Sequence, residues 1–232
     1  MRIVIVGSGK MGQAIAALAE RRGHVIHAII GGEENDGGRA LTAERLKGAE
    51  VAVEFTRPEA VVANLERLIA AGIPTVTGTT GWRDQLAHVG ALVERRGGAL
   101  LHAANFSLGV HLFLRAAHDL ARRFAGRPGF DAFILEEHHA AKLDAPSGTA
   151  RELQIRLASA DPARNFPIIS VRAGATPGTH QVAYDGPYER VTLGHEARSR
   201  EGFAAGALAA AEWLPGHTGV YTVEDMLFGE EA

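Results

Sequence analysis

His138 and His139 stand side by side in the stretch Glu136-Glu137-His138-His139-Ala140-Ala141-Lys142-Leu143-Asp144-Ala145-Pro146-Ser147-Gly148-Thr149-Ala150. An imidazole titrates near neutral pH, so a histidine here suits general acid–base work. Neighbours at a strand end point in opposite directions, which keeps the two rings from sharing one role. One can exchange protons while the other contacts substrate. Lys142 adds a fixed positive charge or a second proton source. Pro146 stiffens the approach to Ser147-Gly148-Thr149. The backbone N–H groups and hydroxyls there, at a helix start, suit a carboxylate. Ser147 also reads as that helix's N-cap, and Asp144 as a residue that shapes the turn. The chain has no cysteine, and no further histidine sits at ligand spacing, so no metal is expected at the pair.

A second pattern lies at the start of the chain. Gly7-Ser8-Gly9-Lys10-Met11-Gly12 fits G-x-G-x-x-G between an apolar run and a helical one. The first glycine permits a tight turn, the second lets backbone approach a pyrophosphate, and the third allows helix to pack on strand. The helix start offers its unpaired N–H groups to phosphate. An acidic residue is expected after the next strand, to accept ribose hydroxyls. Gly31-Gly32 occupy that spot, with Glu33 and Glu34 following. NADH and NADPH therefore both stand as candidate cofactors.

These groups need a scaffold. Ile3–Val6, Val25–Ile30, Val51–Phe55, Ile73–Thr77 and Ala99–Ala103 read as strands of a parallel sheet. Met11–Arg22 reads as a helix, with Met11, Ile15, Leu18 and Ala19 on one face. A second helix follows Thr56-Arg57-Pro58-Glu59, with Thr56 as its expected N-cap and Val61, Val62, Leu65, Leu68 and Ile69 inward. Alternating strands and helices imply helices on both faces. Beyond Leu108 the order changes. Leu108–Phe124 reads as a helix, Phe130–Glu137 as a strand and Ser147–Leu157 as a helix. Ile168–Arg172, Thr179–Asp185 and Arg190–His195 then form three strands without intervening helices, which implies a mixed or antiparallel sheet. Gly202–Leu214 is an alanine-rich helix.

Composition excludes other classes. Of 232 residues 28 are glycine, with no G-X-Y period and only 9 prolines, so collagen is excluded. A net charge of −3 and 6% aromatics give no footprint for nucleic acid. No apolar run approaches the roughly 20 residues that span a bilayer. Arg2-Ile3-Val4-Ile5-Val6 lacks a small-residue cleavage site after it, so the expectation is a soluble, cytoplasmic protein rather than a secreted one.

Taken in order, these strings resemble one family. His138-His139-x-x-Lys142-x-Asp144-Ala-Pro-Ser-Gly-Thr-Ala is similar to the signature of the 4-hydroxy-tetrahydrodipicolinate reductases (dihydrodipicolinate reductases) of the diaminopimelate route to lysine. The resemblance extends through Gly7–Gly12, Val53-Glu54-Phe55-Thr56-Arg57-Pro58, Gly78-Thr79-Thr80-Gly81, Ala103-Ala104-Asn105-Phe106-Ser107, Val171-Arg172-Ala173-Gly174 and His195-Glu196-Ala197-Arg198-Ser199-Arg200. It implies an α/β fold, with an N-terminal Rossmann-type parallel sheet and an α+β domain with a mixed sheet. The cofactor domain would span 1–106, completed by 207–232. The substrate and oligomerisation domain would span 107–206. Gly78, Thr79 and Thr80, with Ala103, Ala104, Asn105 and Phe106, would flank the nicotinamide. His138 would be the catalytic acid–base residue and Lys142 a proton donor. His139, Ser147, Gly148 and Thr149 would hold a carboxylate of a small dicarboxylate substrate. Arg200 matches a signature position. The resemblance further implies NAD(P)H-dependent reduction with loss of water, and a homotetramer assembled through the second domain's sheet. The remaining histidines, His180 and His195 among them, read mostly as structural or surface residues.

Overall fold

A β-branched run with no polar residue has nowhere to go but the middle of a sheet. The computed structural model, which describes residues 1–199 and 201–229, places strand β1 (Arg2–Val6) there, with Ile3 to Val6 fully buried. The chain continues through α1 (Lys10–Arg21), β2 (Val25–Ile30), α2 (Ala43–Leu46), β3 (Val51–Glu54), α3 (Pro58–Ala70), β4 (Thr75–Thr77), α4 (Leu86–Arg96) and β5 (Ala99–His102). It then passes through α5 (Leu108–Phe124), β6 (Asp131–His138), α6 (Gly148–Ala160), β7 (Ile168–Arg172), β8 (Gly178–Asp185) and β9 (Arg190–Ala197). The last elements are α7 (Glu201–Trp213), β10 (Gly219–Tyr221) and α8 (Val223–Phe228).

The structure divides into two units. The first comprises Met1–Ser107 and the chain from Glu201 onward. Its six-stranded sheet runs β10-β5-β4-β3-β1-β2, every pairing parallel. Helices α1 and α7 pack together, as do α3 and α4. The second unit, Leu108–Arg200, carries a four-stranded sheet ordered β7-β6-β8-β9. There β6 pairs parallel with β7 and antiparallel with β8, so the sheet is mixed. Its core is Phe113, Leu114, Ile134, Leu153, Leu157, Phe166, Val182 and Tyr184, where α5 and α6 cover one face. The α/β architecture read from the sequence is the one observed.

Several local expectations change. The chain re-enters the first unit at Glu201 rather than 207, because α7 packs as a whole against α1, β3 and β4. Thr56 is not the N-cap of α3. Arg57 holds that position without a side-chain cap, because the Thr56 hydroxyl donates to Glu54 instead. On α1 the buried face is Gly12, Ile15, Ala16 and Ala19, and Met11 and Leu18 lie at its margin. Helices α2, α4 and α8 and strand β10 have no counterpart among the elements expected from the sequence. Strand β10 has three residues and owes its state to pairing with β5. Arg200 and positions 230–232 fall outside the described residues.

Candidate functional site

In the first unit, the chemistry-bearing loops follow the carboxyl ends of parallel strands, the edge where open α/β sheets bind ligands. The turn after β1 explains its three glycines separately. Gly7 has φ +112°, and a Cβ there would meet the Phe55 carbonyl oxygen at 2.0 Å. A Cβ on Gly12 would lie 2.0 Å from the Gly7 carbonyl oxygen. Gly9 has nothing within 4 Å of its Cβ position, so the chain's own packing does not require a glycine there. It is the N-cap of α1, whose first turn holds no acidic residue. Unpaired N–H groups with no carboxylate beside them suit an incoming anion.

A cavity of about 300 Å³ opens at this point, lined by Gly9, Lys10, Met11, Phe55, Thr56, Pro58, Gly78, Thr79 and Thr80. Below it, Glu54 is fully buried at the end of β3. Its carboxylate accepts from the hydroxyls of Thr77 at 2.6 Å, Thr79 at 2.8 Å and Thr56, and from Asn64 Nδ2 at 3.3 Å. The Thr56 N–H donates to the Thr79 hydroxyl at 2.8 Å, which ties the two cavity loops together. Gly78 is required by the Phe55 ring, 2.0 Å from where a Cβ would stand. Phe55 also packs on Phe106, ring centroids 5.6 Å apart. Of the residues singled out from the sequence, Gly9 to Met11 and Gly78 to Thr80 line the cavity. Gly7 and Gly12 shape its turn, and Phe106 supports it through Phe55. Ala103, Ala104 and Asn105 follow β5 without lining it; the Asn105 side chain accepts from the Ser107 N–H at 2.8 Å. Phe55, Thr56, Pro58 and the buried Glu54 have no binding role in the sequence reading, which takes Thr56 and Pro58 as a helix start. After β2, Glu34 accepts from the Gly31 N–H at 3.3 Å and pairs with Arg45 at 2.8 Å.

The second unit assembles its polar cluster from three strands. Glu136 and His138 share one face of β6, the buried one. The antiparallel register sets His180 of β8 opposite Glu136, and the parallel register sets Arg172 of β7 opposite His138. Glu136 is fully buried. Arg172 Nη2 donates to its Oε1 at 2.6 Å and the Ser147 N–H at 3.4 Å. His138 Nδ1 lies 2.6 Å from Oε2. Burial alone would raise the Glu136 pKa, but the bonds from Arg172, Ser170 and Ser147 outweigh it and hold the group at about 2. For His138 burial is the larger influence and lowers the pKa, while Glu136 pulls it back up. His180 is pushed down to about 4, by burial first and then by His138.

Around this cluster the sequence-derived residues take distinct places. Ser147 caps α6, its Oγ accepting from the Ala150 N–H at 3.2 Å. The same hydroxyl lies 3.0 Å from His180 Nε2. Ser147 is thus a buried structural cap, and Gly148 and Thr149 are the more exposed residues at the helix start. Lys142 Nζ pairs with Asp144 Oδ1 at 2.7 Å, which lowers the Asp144 pKa. Asp144 therefore anchors the lysine as well as shaping the turn. Its carbonyl accepts from Arg172 Nη2 at 2.6 Å. His139, just past the strand, donates its backbone N–H to Thr176 at 2.8 Å and is half-buried. Glu136, Arg172 and His180 are the residues that sequence reasoning missed. His180 lies far from His138 in sequence, and only strand pairing joins them. Glu136, His138 and His180 offer donor atoms within 4.8 Å of one another, a set hidden from sequence spacing. Arg172 already answers the carboxylate charge and Ser147 holds His180, which favours a hydrogen-bonded network over a cation.

Comparison with known proteins covers both units. Residues 1–106 match the family model described as dihydrodipicolinate reductase, N-terminus, and residues 109–227 match dihydrodipicolinate reductase, C-terminus. The 4-hydroxy-tetrahydrodipicolinate reductase of Christiangramia forsetii is 36% identical over 241 residues, covering 98% of each chain. That of Xanthomonas campestris pv. campestris strain B100 is 38% identical over 239 residues, again covering 98% of each. In fold, the chain is similar to a dipicolinate-bound dihydrodipicolinate reductase from Paenisporosarcina sp. TG-14. The TM-score is 0.82 at 23% identity, over 98% of this chain and 99% of that one.

Proposed function

The chain belongs to the dihydrodipicolinate reductase family, and from that premise we propose how its residues divide the work. The reaction is the reduction of 4-hydroxy-tetrahydrodipicolinate with loss of water, in diaminopimelate and lysine biosynthesis. When bound, a reduced nicotinamide dinucleotide supplies the hydride. The first unit holds it. Gly7, Ser8, Gly9, Lys10, Met11 and Gly12 take the pyrophosphate, a role supported by the open space over Gly9 and the acid-free start of α1. Gly78, Thr79 and Thr80 and the Ala103–Phe106 loop flank the nicotinamide. Either NADH or NADPH is used. Glu34, folded onto the end of β2, suits ribose hydroxyls, and Arg45 and Arg39 beside it suit a 2′-phosphate.

The second unit holds the dicarboxylate substrate. The N–H groups of Gly148 and Thr149 at the start of α6, with His139 and Lys142, receive its carboxylates. Ser147 contributes by capping that helix. His138 delivers the proton that the carbon next to the reduced centre needs, and Lys142 supports the developing charge. The observation that carries this reading is His138 itself. It is buried, set against the Glu136 carboxylate, and that carboxylate in turn accepts from the Ser147 N–H at the start of α6. The enzyme works in the cytoplasm as a homotetramer assembled through the sheet of the second unit, which sedimentation velocity tests directly.

The deciding assay supplies the aldol product of pyruvate and aspartate semialdehyde with NADH and NADPH in parallel. Oxidation of at least one cofactor is expected, and oxidation of neither would sink the reading. His138→Ala is expected to lower kcat by about 10²–10⁴-fold, the usual weight of a general acid. Cofactor affinity should stay close to that of the wild type. Equal losses in both would make His138 structural.

A further inference from the structure

The carboxylate of Glu136 has two oxygens in two different situations. Oε1 receives Arg172 at 2.6 Å and the Ser147 N–H at 3.4 Å. Oε2 lies 2.6 Å from His138 Nδ1 as a close ion-pair contact, and among the described residues neither atom has a partner in hydrogen-bond geometry. Both groups are buried, Glu136 at 0% and His138 at 7% exposure. An ionised carboxylate can only accept, so a proton on Nδ1 is the arrangement that satisfies both atoms. We propose that Glu136 is a positioning residue for His138, fixing the neutral ring as the Nδ1–H tautomer and leaving Nε2 as the nitrogen that exchanges protons.

The far side of the ring fits this assignment. A Cβ at Gly178, the first residue of β8, would lie 2.9 Å from His138 Nε2. A glycine there, at φ +157°, spares that nitrogen a side chain from position 178. The anchoring of Glu136 explains why the carboxylate does not turn away. Arg172 clamps it from β7 and also holds the Asp144 carbonyl, so one guanidinium sets both the carboxylate and the loop that carries Lys142. Ser147 ties it to the start of α6. The charged and titratable groups facing His138 are Glu136 on its own strand, Arg172 on β7, His180 on β8 and Lys142 in the following loop. His195 of β9 stands behind His180. Glu136 supplies the negative charge among them.

The inference rests on the proposed role of His138 as proton donor, and it states how that role is performed. The imidazolium gives its Nε2 proton to the substrate carbon. The N–H bond breaks as the C–H bond forms, and the ring is left neutral with its Nδ1–H still on Glu136. Solvent water then restores the Nε2 proton.

The test begins with the wild-type enzyme. Nitrogen-15 NMR of the histidine rings, with His138 assigned by loss of its signals in His138→Ala, reads the tautomer at pH 8. A protonated Nδ1 and a bare Nε2 are expected; a protonated Nε2 would overturn the proposal. This readout needs no turnover, so it stands apart from failure of the reductase assay. Glu136→Gln adds kinetics. Loss of the neighbouring charge should move the alkaline limb of kcat down by about 1 pH unit, within the usual range for such a pair. It should lower kcat at pH 8 at least tenfold, while the NADPH Kd stays within twofold. A kcat profile superimposable on wild type would equally overturn it. If Glu136→Gln does not fold, the wild-type tautomer decides alone.

Discussion

Replacing the glycines of the first loop one at a time separates folding from cofactor binding. Consider Gly9→Ala beside Gly12→Ala. At position 12 the new Cβ would sit 2.0 Å from the Gly7 carbonyl oxygen, where contacts under 3.0 Å are essentially never seen. Helix α1 would have to retreat from β1. Overpacking of this kind costs about 1–3 kcal/mol or more. At roughly 2–4 °C per kcal/mol for a chain of this size, Tm should fall by about 2–12 °C without any ligand. At position 9 no atom lies within 4 Å of the new Cβ. The backbone there, φ −73° and ψ −177°, is open to alanine. Reduced freedom of the unfolded chain stabilises by about 0.4–1 kcal/mol. Alanine is a poorer N-cap than glycine by a comparable few tenths to about 1 kcal/mol. The two nearly cancel, so Tm without ligand should stay within about 3 °C of wild type. The methyl group would instead occupy the approach of a pyrophosphate, and Kd for NADPH and NADH should rise at least tenfold, about 1.4 kcal/mol. Thermal denaturation without cofactor and a fluorescence titration with it give the two numbers. A folded Gly9→Ala that binds cofactor as tightly as wild type would refute the assignment of this loop to phosphate.

Other outcomes follow from the two buried networks. His180 is held at about 4 against an ordinary 6.5, so the unfolded chain takes up that proton first as pH falls. Its contribution to stability is therefore full above about pH 6.5 and declines toward pH 4, by about 3 kcal/mol at most. Denaturant titrations at pH 7, 5.5 and 4 should show that slope, and His180→Gln should flatten it; parallel slopes would refute it. Glu136, at about 2 against 4.5, contributes stability that is present above pH 4.5 and lost below it, which should appear as a second, more acidic decline. Ser147→Ala removes both the cap of α6 and the partner of His180 and should cost about 1–3 kcal/mol, measured by the same titrations. Glu54→Gln leaves three threonine hydroxyls competing for one amide oxygen and should destabilise by about 1–3 kcal/mol. It should also weaken cofactor binding, since the loops it joins line the cavity; unchanged affinity in the folded variant would count against that link.

Much of the fold was legible because burial leaves a periodic trace. A run such as Ile3–Val6 must be covered on both faces, and three successive strands without helices must form a mixed or antiparallel sheet. The glycine loop and the helix start at Ser147 were legible because turn and cap chemistry is local: it depends on residues a few positions apart. Thr56 shows the limit of that locality. Its type and position suit an N-cap, yet a buried carboxylate two residues away takes its hydroxyl.

What the tertiary structure alone decided is which distant residues share a dielectric environment. Glu136 reads as an ordinary charge in sequence. Parallel pairing with β7 and antiparallel pairing with β8 set Arg172 and His180 around it, and burial makes those contacts consequential. The histidine pair announced proton chemistry by residue type, but type says nothing about which ring nitrogen carries the proton. Alternation along β6 sets Glu136 on the face of His138, and pairing with β8 brings Gly178, without a side chain, to the ring's other nitrogen.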